Sequence, residues 1–206
     1  MSRIGIINYG VGNLTSVKNS LDFLKIPNAF ITAPKEIKKF DKIILPGVGA
    51  FGAAMEKLDK LGFAGEIKKF AASGKPILGI CLGMQLLFDE SSEHGHHKGL
   101  GLIKGRVLPF SEKVTKLPIP LVGWNSITKN GESPLLMGIN SSSSFYFVHS
   151  FYCEPKEKSV IAASSDYGIK FASIIHKNNI FGCQFHPEKS QAAGLQILKN
   201  FSNIEC

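Results

Sequence analysis

One pentapeptide, GICLG at residues 79–83, constrains the fold more than any other stretch of this chain. It follows an apolar run that opens at Pro76 and is typical of a buried strand, and it precedes a helical pattern of apolar residues. A nucleophile on a tight strand-to-helix turn needs glycine two residues away on each side, because larger side chains would collide with the neighbouring backbone. The turn would project the Cys81 sulfur at a helix N-terminus, which favours the thiolate. The alternative is a small buried cysteine beside two packing glycines.

Strands and helices alternate through the first half of the chain. Near-continuous apolar strands are predicted at residues 3–9, 29–31 and 41–45, with amphipathic helices at 14–24 and 63–72. In the second half, strand-like segments at 145–149 and 180–186 and a final helix at 191–201 accompany shorter, proline-containing segments. The pattern predicts one domain, residues 1–206, of the α/β class. Its centre is a mostly parallel sheet covered on both faces, a three-layer sandwich with additional antiparallel strands in the second half.

Composition and residue patterns argue against several classes of protein. The 206 residues carry a net charge of +8, but the lysines are dispersed and are not interleaved with aromatics, so nucleic-acid binding is not favoured. No segment predicts a signal peptide, and no apolar run approaches the roughly 20 residues that span a bilayer. The four cysteines are scattered without a CxxC pair, which argues against a zinc site or a disulfide framework and favours a reducing, cytoplasmic location. They are Cys81, Cys153, Cys183 and Cys206.

Two motifs suggest cofactor or metal sites only weakly. Gly10-Val11-Gly12 after the first strand resembles part of a dinucleotide-binding fingerprint, but Thr15 stands at the third glycine position. A tight turn between strand and helix is the better interpretation. The histidines at 94, 96 and 97 have no cysteine or carboxylate at suitable spacing beyond Glu93, so a polar loop is favoured over a metal site. We therefore expect no cofactor and no metal.

Two further motifs would complete a thiol active site. The loop PGVGAF at residues 46–51 places glycines at alternate positions, which lets backbone N–H groups turn towards a developing oxyanion. His186-Pro187-Glu188 supplies a base and a carboxylate whose side chains share one side of an extended chain. A cysteine nucleophile needs such a base, and the base needs a group that fixes its tautomer. Taken alone, each motif also fits an ordinary loop.

Together, these motifs resemble the triad (class I) glutamine amidotransferases over the whole chain. Five segments narrow the resemblance to the glutaminase subunits of imidazole glycerol phosphate synthase: NYGVGNL at 8–14, PGVGAF at 46–51, GWN at 123–125, YFVHS at 146–150 and HPEKS at 186–190. One departure is Leu121-Val122 before GWN, where the family usually carries His-Met. The resemblance implies a glutaminase that passes ammonia to a (β/α)8 cyclase subunit in a heterodimer, during histidine biosynthesis. A paralogue that supplies another synthase, such as a sugar-amidating enzyme of surface glycan synthesis, is the nearest alternative.

The resemblance and the motifs assign roles to three sets of residues. The catalytic set is Cys81 as nucleophile, His186 as acid and base, and Glu188 as the orienting carboxylate. The oxyanion and glutamine-binding set is Gly47, Val48, Gly49 and Leu82 for the oxyanion, with Gln85, His149, Ser150 and Phe151 lining the pocket. The expected partner interface is Gly10, Asn13, Trp124, Tyr146 and Lys189. A related thiol peptidase and a non-catalytic scaffold subunit remain as alternatives from other classes.

A last expectation concerns regulation. Val48 lies between two glycines, so its peptide can rotate at little steric cost. If its carbonyl points inward at rest, the oxyanion lacks a donor until the partner docks. The isolated subunit is therefore expected to be a poor glutaminase.

Overall fold

The computed structural model describes residues 3–140 and 142–205. Its centre is an eight-stranded sheet with the order β2-β1-β3-β4-β14-β13-β12-β9. The first five strands of that order run parallel, and the last three are antiparallel to their neighbours. Their bounds are β1 Ile4–Ile7, β2 Asn28–Ile31, β3 Lys42–Gly47, β4 Ile77–Cys81, β9 Thr128–Lys129, β12 Ile161–Asp166, β13 Lys170–Lys177 and β14 Ile180–Cys183.

Helices cover both faces of this sheet. The bounds are α1 Leu14–Phe23, α2 Phe51–Lys60, α3 Phe63–Ala72, α4 Leu82–Leu86 and α5 Gln191–Asn203. Alternate strand residues point to opposite faces, so Ile44 packs with α1 and α5, whereas Ile43 packs with α2 and α3. The two separate apolar cores make the molecule a three-layer sandwich. Short 3₁₀ segments lie at Pro34–Lys39, Phe110–Glu112, Pro134–Leu136, Lys158–Val160 and Pro187–Lys189.

Two smaller sheets occupy the second half. One has the order β11-β7-β5-β6 and the other pairs β10 with β8. The bounds are β5 Phe88–Ser91, β6 His97–Lys98, β7 Ile103–Pro109, β8 Leu121–Ser126, β10 Ser144–His149 and β11 Phe151–Pro155. All their pairings are antiparallel except that of β5 with β7. The predicted fold class, with antiparallel strands added in the second half, is confirmed.

Three local predictions need correction. Helix α2 was not predicted, although Phe51, Ala54 and Leu58 have helical spacing and are buried. Helix α4 is shorter than expected and ends at Leu86, because Phe88 already belongs to β5. An unbroken apolar run carries no period that could distinguish helix from strand there. Finally, the predicted strand 180–186 ends at Cys183.

No helix within residues 3–140 and 142–205 is long and apolar enough to cross a membrane. Over the same residues, the cysteines Cys81, Cys153 and Cys183 are free and buried. The fourth, Cys206, lies outside the described residues.

Candidate active site

Three neighbouring parallel strands deliver the predicted chemical groups to one edge of the central sheet. Gly47, at the end of β3, is paired with Cys81, at the end of β4. On the other side of β4, Cys183 is paired with Ile80, and the chain continues from Cys183 to His186. The carboxyl ends of parallel strands are where open α/β sheets bind ligands. The sheet therefore brings together segments that are distant in the chain.

The turn at Cys81 is locked by its glycines. Cys81 has φ 53° and ψ −112°, a strained conformation for a residue with a side chain. A Cβ on Gly79 would come within 2.6 Å of the Gly83 carbonyl oxygen, and a Cβ on Gly83 would overlap the Leu45 carbonyl oxygen. Both glycines are thus required by close backbone packing, as the sequence predicted. Because α4 spans only five residues, its dipole makes at most a small contribution at the sulfur.

His186 and Glu188 form a buried pair. His186 Nδ1 donates to Glu188 Oε1 at 2.8 Å, and the side chains are 3% and 1% exposed. Burial alone would lower the pKa of His186, but its interactions with Cys81 and Glu188 outweigh that effect and raise the pKa to about 10. The imidazole therefore favours its protonated form at neutral pH. This pairing is the one that the two-residue spacing predicted.

Asn13 also reaches this pair. Its Nδ2 donates to Glu188 Oε1 at 3.3 Å, and its Oδ1 accepts from Ser16 Oγ at 2.8 Å. The family resemblance implied only a role at the partner interface for Asn13. The structure places it against the carboxylate, so the loop between β1 and α1 contacts the His186–Glu188 pair.

The Cys81 sulfur has two polar neighbours besides the imidazole. The side-chain amide of Gln184 donates to it across 3.8 Å, and the sulfur lies 4.0 Å from the Val148 carbonyl oxygen. Within the described residues, His186 Nε2 makes no hydrogen bond of ordinary length and angle. The Cys81 sulfur nevertheless raises the pKa of His186, through a longer hydrogen-bonding interaction and, to a smaller extent, through its charge. Burial raises the pKa of the other two described thiols, Cys153 and Cys183, well above the usual range. Those two are therefore poor nucleophiles.

A cleft of about 580 Å³ opens beside the sulfur. Its lining includes most of the predicted binding residues: Val48, Gly49, Leu82, Gln85, His149, Ser150 and Phe151, together with Cys81 and His186. Gly47 is not part of the lining, because it lies in β3, where a Cβ would come within 2.8 Å of Tyr9 Oη. Tyr9 in turn donates to the Pro46 carbonyl at 3.1 Å and fixes the start of the loop.

The cleft also contains groups that the sequence did not predict: Glu93, His94, Pro120 and Val148. Glu93 is buried, and its Oε2 accepts from the backbone N–H of Phe51 at 2.7 Å. It thereby ties Phe51, where the 46–51 loop ends and α2 begins, to the segment that follows β5. No local pattern marks this residue, since its partner lies 42 positions away in the chain.

His149 is neutral and fixed. Its Nδ1 donates to the Phe151 carbonyl oxygen at 2.8 Å, and its ring packs among Phe110, Phe147 and Phe171. Burial, assisted by the charge of His186, lowers the pKa of His149 to about 4. This side chain shapes the 149–151 turn and carries no charge near pH 7.

The histidine cluster forms no shared site. His96 pairs with Glu90 at 2.7 Å, whereas His97 lies in β6 and packs over Gly52. Within the described residues, no group of three or more His, Cys, Asp or Glu side chains could hold a metal ion.

Three of the residues predicted to face a partner, Trp124, Tyr146 and Lys189, lie together around the Tyr146 ring. Trp124 is 50% exposed, its ring lies 6.0 Å from that of Tyr146, and Lys189 Nζ lies 5.7 Å from the Tyr146 ring. Val122, at the position where the chain departs from the family pattern, is also exposed on the same strand. Gly10 is exposed as well. An exposed tryptophan beside a tyrosine and a cation is typical of an interaction surface.

The family model for class-I glutamine amidotransferases matches residues 6–204. The chain belongs to that family. It is 50% identical over 202 residues to the imidazole glycerol phosphate synthase subunit HisH of Chlorobium luteolum, covering 98% of each chain. It is also 50% identical over 206 residues to the HisH of Caldanaerobacter subterraneus, covering 98% of this chain and 99% of the relative. The HisH of Helicobacter hepaticus is 47% identical over 215 residues and covers 98% of each.

Solved structures agree on the fold of this amidotransferase. The structure of PurLQS from Thermotoga maritima matches with a TM-score of 0.78 at 19% identity, covering 98% of this chain and 99% of that one. A glutamine amidotransferase from Thermotoga maritima matches with a TM-score of 0.65 at 14% identity, covering 98% of this chain and 83% of that one. At these identities the likeness concerns the fold alone.

Proposed function

We propose that the cleft hydrolyses glutamine to glutamate and ammonia, with Cys81, His186 and Glu188 as the catalytic triad. The chain is the glutamine-hydrolysing subunit of an imidazole glycerol phosphate synthase, an enzyme of histidine biosynthesis. Its similarity to HisH subunits extends over nearly the full length of both chains. The alternative of a paralogue for surface glycan synthesis is not favoured. The observation that best supports the mechanism is the buried His186–Glu188 pair beside Cys81 on a strained turn.

The first half-reaction starts from a protonated imidazole beside a thiolate. The sulfur lone pair attacks the side-chain carbonyl carbon of glutamine, and the carbonyl electrons move to oxygen. His186 then gives its Nε2 proton to the amide nitrogen, the C–N bond breaks and ammonia leaves. A glutamyl thioester remains on Cys81, and His186 is neutral.

Water completes the cycle. His186 takes a proton from a water molecule, whose oxygen attacks the thioester carbonyl. The C–S bond then breaks, which regenerates the thiolate and releases glutamate. Throughout, Glu188 accepts from Nδ1 and keeps the reactive Nε2 turned towards the cleft. The pKa of about 10 supports the acid role, because His186 must hold a proton when the amine leaves.

The cleft offers partners for the polar groups of glutamine. The backbone N–H groups of Leu82 and of the 47–49 loop would stabilise the oxyanion. Gln85 and the 149–151 turn would line the path of the side chain. Glu93 is the one carboxylate that the described residues contribute to the lining, and its remaining oxygen would accept from the α-ammonium group.

We further propose that a (β/α)8 cyclase subunit docks on the surface formed by Gly10, Asn13, Trp124, Tyr146 and Lys189, giving a heterodimer. The relatives are named as subunits, which supports a complex. This surface combines the exposed Trp124 with contact to Glu188 through Asn13. The cyclase would use the ammonia to form imidazole glycerol phosphate and aminoimidazole carboxamide ribotide. We place this reaction in the cytoplasm, consistent with the free thiols.

A glutaminase assay in three arms tests this proposal: the subunit alone, with the cyclase subunit, and with the cyclase plus its ribotide substrate. Strong stimulation in the third arm is the expected result. Stimulation by a different synthase, but not by the cyclase, would reassign the chain to another pathway. Hydrolysis of peptides in place of free glutamine would contradict the substrate.

A further inference from the structure

We infer that Gln184 is a catalytic residue of this site, whose amide N–H is held on the Cys81 sulfur and favours the thiolate. Gln184 is fully buried and follows directly after β14. Its Nε2 donates to Cys81 Sγ across 3.8 Å. The inference rests on the proposed function, in which Cys81 is the nucleophile.

The orientation of this amide is determined by a chain of hydrogen bonds with one fixed end. The Phe151 backbone carbonyl can only accept, so the group of Gln85 that lies 3.0 Å from it must be the NH₂. The same NH₂ lies 3.2 Å from the Gln184 side chain, which must therefore present its oxygen there. The NH₂ of Gln184 is then left to face the sulfur. Gln85 is thus a positioning residue as well as part of the cleft lining.

The sulfur sits between two opposing contacts. The Val148 carbonyl oxygen, 4.0 Å away, can accept a hydrogen bond from the thiol S–H group and so favours the neutral form. The Gln184 N–H can only donate, and a donor favours the charged form of its acceptor. Without the amide, only the protonated imidazole of His186 would oppose the carbonyl. Gln184 therefore shifts the balance at the sulfur towards the thiolate that attacks glutamine.

A Gln184→Met variant removes the donor while keeping a side chain of similar length. In the subunit purified with its cyclase partner, we expect iodoacetamide to alkylate Cys81 about tenfold more slowly at pH 7, because hydrogen bonds to charged groups have effects of at least this size. The curve of alkylation rate against pH should move about one unit to higher pH, and the limiting rate at high pH should recover. Mass spectrometry of the Cys81 peptide separates this thiol from the others. kcat should fall more than KM changes.

The matched control is Gln196→Met, since Gln196 bonds Asn200 on α5 and does not contact the cleft. This control should leave the curve of Cys81 alkylation rate against pH unchanged. If Gln184→Met fails to fold, the isosteric Gln184→Glu replaces it, and a carboxylate facing the sulfur should move the curve further in the same direction. A uniform loss of rate with no displacement along pH would overturn the inference and leave Gln184 a packing residue. That result is distinct from failure of the proposed function, which would appear as glutamine turnover by Cys81→Ala.

Discussion

The two sides of the cleft are built in opposite ways. The turn at Cys81 is buried, and a single added methyl group at Gly83 would overlap the Leu45 carbonyl oxygen. Across the cleft, Val48 is 43% exposed, and a methyl group added at Gly49 would meet no atom within 4 Å. Packing determines the position of Cys81, whereas few contacts with the rest of the described chain determine the conformation of residues 48–49. We therefore propose that Cys81 keeps one position in the free and the bound protein, whereas binding of a ligand or partner selects the conformation of residues 48–49.

The loop is nevertheless tied at both ends. Tyr9 donates to the Pro46 carbonyl at one end, and Glu93 accepts from the Phe51 N–H at the other. Burial raises the pKa of Tyr9 well above its usual range, so its hydroxyl remains a donor. Conformational freedom of the backbone is thus confined to the short segment 48–49. Tyr9 also precedes the loop at 10–13, whose Asn13 contacts Glu188, so one short stretch of chain, 9–13, contacts both the 46–51 loop and the His186–Glu188 pair.

Cys81→Ala tests the buried turn directly and has the largest expected effect, which is on glutamine turnover. Glutamine turnover by the complex should fall by about 10⁵-fold or more, because removal of a triad nucleophile has effects of this order. The cyclase reaction with added ammonium should continue. Steady-state assays of both reactions provide the measurement. Cys153→Ala is the matched control and should retain turnover, since burial raises the pKa of that thiol.

Gly83→Ala should destabilise the same turn. The new Cβ would overlap the Leu45 carbonyl, and neither backbone segment can move without disturbing the β3–β4 pairing. We expect a loss of about 3 kcal/mol or more in unfolding free energy, measured by urea denaturation at pH 7. The control is Gly65→Ala on α3, where a Cβ meets nothing within 4 Å and should stabilise the helix slightly. Equal stability of the two variants would contradict the rigid picture.

His149 should make the stability of the folded protein sensitive to acid. Its pKa is about 4 in the folded state and near 6.5 when unfolded, so the unfolded chain binds more protons between these values. Its contribution to stability is complete above pH 6.5 and is lost as the pH falls through 4. The loss should approach about 3 kcal/mol, measured as unfolding free energy against pH.

The comparison variant is His149→Phe, which should remove that part of the acid slope. His176→Phe is its control, because His176 already stacks on Phe181 at 4.5 Å outside the cleft. If both variants keep the same slope as the parent protein between pH 6.5 and 4, His149 does not titrate as proposed.

The sequence predicted the turn at Cys81 and the His186–Glu188 pair better than the contacts that hold the 46–51 loop. Glycine spacing around Cys81 and the two-residue spacing of His186 and Glu188 encode local geometry, and the structure shows the expected turn and pair. Gln184 and Glu93 were missed because their partners lie 103 and 42 positions away, and no local period reports such contacts. The end of α4 was missed because an unbroken apolar run fits helix and strand equally. Long-range polar contacts are fixed only when the sheet has assembled.

Gly49→Ala tests the exposed segment 48–49 and should have the smallest effect on stability. Gly49 has φ +92°, a conformation that costs a residue with a side chain roughly 1–2 kcal/mol, yet the added methyl group meets no neighbour. The loop can relieve this strain by moving, so unfolding free energy should change by less than about 1 kcal/mol. The strain would instead appear in function, as a roughly tenfold lower glutamine turnover in the complex with cyclase and ribotide. Glutamine turnover by the isolated subunit should be low in the parent protein and in Gly49→Ala, because no partner yet holds the 46–51 loop in its active conformation. A variant as unstable as Gly83→Ala, or a fully active isolated subunit, would show that the two sides of the cleft are equally rigid.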